Sequence, residues 1–98
     1  MFSRILRRMR EKIRTRQYVM TLHAEAEMDQ DGLTVYDVEG AILTGEVMER
    51  QRDTGTAEWK YRVRGEALDG SAVEVIAKIS LTGRLVILTV YTLGRHGS

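Results

Sequence analysis

Ninety-eight residues, 43% apolar and 30% charged, make one folded domain of modest core that needs no disulfide or metal staple. The absence of cysteine excludes a disulfide framework, a thiolate nucleophile and cysteine-ligated zinc, and it fits a reducing cytoplasm. The net charge of +1 hides an asymmetry: residues 1–16 carry seven bases and one acid, leaving eight bases and thirteen acids for the remainder.

Residues 1–17 read as a basic amphipathic arm. Phe2, Ile5, Leu6, Met9 and Ile13 recur at helical spacing, with arginines around the rest of the cylinder. The pattern predicts a helix over Ser3–Arg16 with Ser3 as its N-cap. No apolar run or small-residue cleavage site follows, so no signal peptide is expected. A short stretch, Tyr18 to Leu22, leads into a second helix over Ala24–Gln30. Asp31-Gly32 ends it, because glycine tolerates the left-handed conformation. Thr34-Val35-Tyr36-Asp37 has capping-box spacing and opens a third helix, which buries Val35, Val38, Ala41 and Ile42 and closes at Gly45.

From Glu46 the period becomes two. Glu46–Arg52, Ala57–Leu68, Ser71–Ser80 and Arg84–Thr92 read as four strands, and their connections Asp53-Thr54-Gly55, Leu68-Asp69-Gly70 and Leu81-Thr82-Gly83 each end in glycine. Three-residue hairpin loops want glycine there. The fold class is therefore α+β: short helices followed by a four-stranded antiparallel meander, a single domain over 18–93 with a flexible tail at 94–98.

The turns set a register. Arg50 falls opposite Glu58, Glu46 opposite Arg62 and Val47 opposite Tyr61; in the second hairpin Arg64 meets Glu74, Val63 meets Val75 and Tyr61 meets Ala77. A one-residue slip would spoil both faces. One face becomes apolar (Trp59, Tyr61, Val63, Val73, Val75, Ala77, Ile79) and awaits the helices, while the other is mostly charged. On the charged face Lys60 lies opposite Lys78, with Arg62 nearby, a like-charge cluster suited to phosphate or merely tolerated in solvent. The last strand, Leu85 to Tyr91, is apolar on both faces and too short to cross a membrane. Something must cover the charged side near Ile76, either the arm helix or a partner chain, including a second copy. A two-residue Thr82-Gly83 turn would instead bring Thr89 and Tyr91 to the charged face; a three-residue turn leaves Tyr91 in the core.

Thr21-Leu22-His23-Ala24-Glu25-Ala26-Glu27-Met28, Leu33-Thr34-Val35-Tyr36-Asp37-Val38, Gly45-Glu46-Val47, Lys60-Tyr61-Arg62-Val63-Arg64-Gly65 and Thr89-Val90-Tyr91 together resemble a bacterial domain-of-unknown-function family with a His-Ala-x-x-Arg-Met signature. The likeness spans roughly residues 18–92 and leaves the arm outside. Such proteins are often encoded beside zinc-finger antitoxins of the MqsA/YgiT type. Their helix-then-sheet order is similar to the BrnT and RelE ribonuclease toxins. The resemblance thus implies a RelE/BrnT-like fold, RNA as substrate, a cognate antitoxin as partner, and no cofactor or metal.

Metal-free RNA cleavage needs a base for the 2′-hydroxyl, cations for the phosphate and an acid for the leaving oxygen. His23, in the first turn of a helix, is the candidate base, since the positive dipole end favours its neutral form. Lys60 and Arg62 are candidate catalytic cations, and Tyr91 is a candidate acid or a ring that stacks on a base. Lys78, Arg64, Arg7 and Arg8 are candidate nucleic-acid contacts. Each has a plain structural counterpart: a hydrogen-bonding histidine at a helix start, a core tyrosine, a solvated charged face. The signature arginine is replaced by Glu27, which would repel phosphate. That departure favours the alternative of a non-catalytic interaction domain, binding a partner or itself through the sheet or arm. Glu25 and Asp29, four apart on one helix face, read as a solvated acidic face rather than a metal site.

Overall fold

The computed structural model describes residues 2–93, so the tail expected at 94–98 lies outside the described residues. The elements run α1 (Ser3–Arg14), β1 (Tyr18–Met20), α2 (Leu22–Gln30), α3 (Val35–Thr44), β2 (Glu46–Arg52), β3 (Trp59–Glu66), β4 (Ala72–Ile79) and β5 (Leu85–Thr92). The α+β class stands, but the sheet has five strands in the order β1-β5-β4-β3-β2, not four. The added strand, β1, pairs parallel to β5 through Tyr18↔Leu85, Val19↔Val86 and Met20↔Ile87. Three residues are too few to show a period of two, so only the open edge of β5 recruits them.

Helix ends correct the sequence reading locally. Ser3 lies inside α1; Phe2 precedes it without a side-chain cap, and the helix stops at Arg14 rather than Arg16. Arg16 takes a left-handed φ of 58°, its N–H bonds Ile13 O, and Gln17 N–H bonds Lys12 O. That is a Schellman closure made by arginine instead of glycine, and it turns the chain into β1. Thr21 accepts from Ala24 N–H and starts α2 two residues before the expected Ala24. The capping box of Thr34 and Asp37 is complete, with each side chain bonded to the other's backbone N–H.

The β3–β4 register is as the turn chemistry dictates: Arg64↔Glu74, Val63↔Val75 and Tyr61↔Ala77. The β2–β3 register is not. Glu46 faces Arg64 rather than Arg62, Val47 faces Val63 rather than Tyr61, and a bulge at Met48 brings Arg50 opposite Tyr61 rather than Glu58. The physical reason is a longer loop. Asp53 N–H bonds Glu58 O, Ala57 N–H bonds Asp53 O, and the left-handed residue is Ala57 (φ 62°), not Gly55. The β4–β5 turn has three residues, yet a bulge between Ile76 and Ala77 shifts the pairing to Ile76↔Thr89 and Glu74↔Tyr91. Tyr91 and Thr89 therefore leave the core face through a bulge, not through a shorter turn.

The core lies between the sheet and the helices. Met9 and Ile13 of α1, Ala24 of α2, and Val38, Ala41 and Ile42 of α3 meet Val63, Val73, Val75, Ala77, Leu85, Ile87 and Val90. The arm packs on its own domain, as one of the two alternatives had it, but on the apolar side of the sheet rather than over Ile76. Arg10 ties it to the end of α3, donating to Ile42 O at 3.2 Å and Gly45 O at 2.7 Å. Gly65 lets α3 approach β3, because a Cβ there would stand 1.9 Å from Ala41 O. Among the described residues no helix is long and apolar enough to cross a membrane.

Candidate functional site

The face of the sheet turned away from the helices carries one tightly bound carboxylate. Glu74 is 2% exposed although it does not belong to the apolar core. Register explains how: Arg64, Glu74 and Tyr91 form one row across β3, β4 and β5, and Arg62 stands two residues along. Glu74 Oε2 accepts from Arg62 Nη1 at 2.8 Å and from Arg64 Nε at 2.8 Å, with Arg64 Nη2 at 2.7 Å. The Tyr91 hydroxyl donates to Glu74 Oε1. Arg62 also donates through Nε to Glu49 Oε1 at 2.8 Å.

Burying a carboxylate costs several kcal/mol, and only charge-assisted bonds on both oxygens offset it. Burial pushes the Glu74 carboxyl up, but bonds from Tyr91, Arg64 and Arg62 outweigh it and hold it below the usual range. Burial, then the bond to Glu74, raises the Tyr91 phenol. The Glu49 bond is the largest influence raising Arg62. The result is an ionised carboxylate between two guanidiniums, with a protonated phenol in contact. An open depression of about 410 Å³ adjoins it, lined by Thr44, Glu46, Arg64 and Glu66 among others.

The other sequence candidates fall into three places. Lys78 donates to Glu58 at 2.8 Å, and Lys60 and Lys78 both act on the Asp53 carboxylate, so acids of the β2–β3 loop relieve this like-charge pair. His23 is 70% exposed and its Nε2 lies 3.3 Å from Glu27 Oε2. Glu27 has a structural task of its own: Oε1 accepts from Val90 N–H at 3.1 Å, and Asp31 takes Thr92 N–H at 2.9 Å. The two carboxylates cap the edge of β5 beyond the end of β1, where N–H groups would otherwise lack partners. Arg7 and Arg8 are exposed on α1, across the sheet from Arg62 and Tyr91.

The structure thus joins Arg62, Arg64 and Tyr91 and leaves His23, Arg7 and Arg8 elsewhere. The residue that joins them, Glu74, entered the sequence reading only as the cross-strand partner of Arg64. A lone acid inside Val73-Glu74-Val75-Ile76, opposite an arginine, was the available signal. Its contact with Tyr91 depended on a bulge that no turn residue announces.

A mixed five-stranded α+β domain, with helices on one face and a buried charge cluster on the other, is the class that fold and site define. The chain belongs to the family described as Domain of unknown function (DUF4258), whose family model matches residues 20–92. Neither a curated protein nor a solved structure matches it.

Proposed function

We propose that this chain is a metal-independent RNA-cleaving domain of the toxin type, with the open sheet face as its reactive surface. The observation that carries the reading is Glu74, held ionised and almost fully buried by Arg62, Arg64 and Tyr91 on the face that no helix among the described residues covers. Buried titratable clusters of this kind concentrate at functional sites. A phosphodiester seated on the guanidiniums replaces the carboxylate there, since arginine binds phosphate bidentately. Glu74, relieved of its cations, becomes a stronger base and takes the 2′-hydroxyl proton. The 2′-oxygen then bonds to phosphorus and the bond to the 5′-oxygen breaks, giving a 2′,3′-cyclic phosphate and a 5′-hydroxyl.

In-line displacement puts base and acid on opposite sides of phosphorus. Tyr91 touches the base itself, so it positions Glu74. Lys60 lies two residues beyond Arg62 on β3, about 6.7 Å farther along at strand rise, and is placed to protonate the leaving oxygen. This moves the base from His23 to Glu74 and the acid from Tyr91 to Lys60. A cognate antitoxin and a cytoplasmic setting belong to the same reading.

The test is purified protein on labelled RNA, beside Glu74→Gln, Lys60→Met and His23→Ala, with folding checked by circular dichroism. Cyclic-phosphate ends from wild type and His23→Ala, but not from folded Glu74→Gln, are expected. Intact RNA with wild type would sink the proposal, and loss only in His23→Ala would return the base to that residue. The engagement of Glu27 as an edge cap favours a second reading, a non-catalytic interaction domain of the same fold. That reading expects a stable complex or dimer on size exclusion and no RNA cleavage.

A further inference from the structure

The helix side of the molecule carries cations of a different kind. On the sheet face Arg62, Arg64 and Lys78 are each bound by carboxylates. Arg4, Arg7, Arg8 and Arg14 on α1, and Arg50 and Arg52 on β2, are all exposed, and none is ion-paired among the described residues. Glu11 is the single acid of α1. Arg4, Arg7, Arg8 and Arg14 share one helix face, spanning about 15 Å at helical rise.

Arg50 and Arg52 are held in a way the sequence register hid. The bulge at Met48 puts Arg50 opposite Tyr61 and Arg52 opposite Trp59, on the side of the sheet that faces the helices. Their guanidinium carbons stand 4.1 Å and 4.7 Å from the centre of the Trp59 ring, which is itself 37% exposed. Stacking fixes the planes while leaving N–H donors outward, so part of the ordering cost of an arginine–phosphate bond is met beforehand. Phe2, at the start of α1, meets Tyr61 edge-on at 6.3 Å between ring centres, which makes the two groups neighbours.

We propose that the outer face of α1 and the Trp59-held pair Arg50 and Arg52 form one phosphate-binding surface for single-stranded RNA, across the sheet from Glu74. A bilayer fits the surface less well. The apolar stripe of α1 is spent on the core, with Met9 and Ile13 buried and Ile5 and Leu6 packed beside them, so no apolar helix face is left to insert. The predominance of arginine over lysine, and guanidiniums stacked on an aromatic ring, match nucleic acid. The surface stands on charge placement and ring geometry, independently of whether the sheet face cleaves.

The experiment titrates full-length protein with a fluorescent oligouridylate between about 50 and 200 mM salt, where each phosphate contact to a single strand contributes about 0.7 to the slope of log K against log salt. Removing charge at Arg4→Gln/Arg7→Gln/Arg8→Gln is expected to lower that slope by about 2, and Arg50→Gln/Arg52→Gln by about 1.4. Leu81→Ala, in the exposed β4–β5 turn and part of neither surface, is expected to leave the slope unchanged. Trp59 is the only tryptophan, so its emission should respond to RNA in wild type and respond less in the Arg50/Arg52 variant. Slopes that do not fall in either variant would overturn the proposal. So would tighter binding to an anionic vesicle or a poly-glutamate peptide than to the oligouridylate.

Discussion

The two sides of the sheet use the same residue types to opposite ends. On the open face three cations have carboxylates: Arg62 has Glu49 and Glu74, Arg64 has Glu74, and Lys78 has Glu58. On the helix side the arginines of α1 rest on helix spacing, and Arg50 and Arg52 rest on an aromatic ring. A paired cation is spent on structure until a ligand displaces its partner. An unpaired one meets an anion without that cost, which is why net charge says little about where anions go.

The largest effect should come from breaking the layer that keeps the two sides distinct. Gly65→Ala forces a Cβ to within 1.9 Å of Ala41 O, which is backbone and cannot swing aside. A loss of about 3 kcal/mol or more is expected in urea denaturation. A mild effect would mean that α3 is seated more loosely on β3 than this spacing shows.

Next comes the paired face. Glu74→Gln should cost about 2 kcal/mol, because it leaves Arg62 and Arg64 without their shared charge while both keep some access to water. The sign of the pH dependence follows from the lowered carboxyl. Its stabilisation is fully present above the unfolded value of about 4.3 and is lost as pH falls through the folded value below it. Urea midpoints followed from about pH 6 to about pH 3 should therefore fall more steeply for wild type than for Glu74→Gln. Parallel curves would remove the charge from the account.

A smaller loss, about 1 kcal/mol, is expected for Glu27→Ala, which uncaps the Val90 N–H. Faster amide exchange at Val90 checks it; unchanged protection would mean water or another group replaces the cap. Smallest of all is Arg50→Gln/Arg52→Gln, expected within about 0.5 kcal/mol in stability since both side chains are exposed. A large destabilisation would show those arginines to be spent on structure too, and would erase the contrast.

Much of the frame was legible in the sequence. The capping box at Thr34 and the glycine-ended loops at Gly70 and Gly83 are local chemistry, and the structure has them as expected. The apolar alternation of β3 and β4 fixed their shared register because a slip would have buried charge. The site is legible in pieces: the strand register pairs Arg64 with Glu74, but nothing local brings Arg62 and Tyr91 onto the same carboxylate. In sequence Glu27 stands out only as a lost arginine, whereas its carboxylate caps a strand edge 63 residues away in the chain.

What the sequence determined by itself was whatever a few neighbouring residues decide: the capped start of α3, the tight turns at Gly70 and Gly83, and the division of β3 and β4 into two faces. Tertiary structure decided the rest. It recruited Tyr18–Met20 as a parallel fifth strand, because β5 had an edge to satisfy. It placed bulges at Met48 and beside Ile76, which reassigned Arg50, Arg52 and Tyr91 to new neighbours. A bulge arises from the fit between whole strands, so no local signal marks it, yet one extra residue changes which side chains meet.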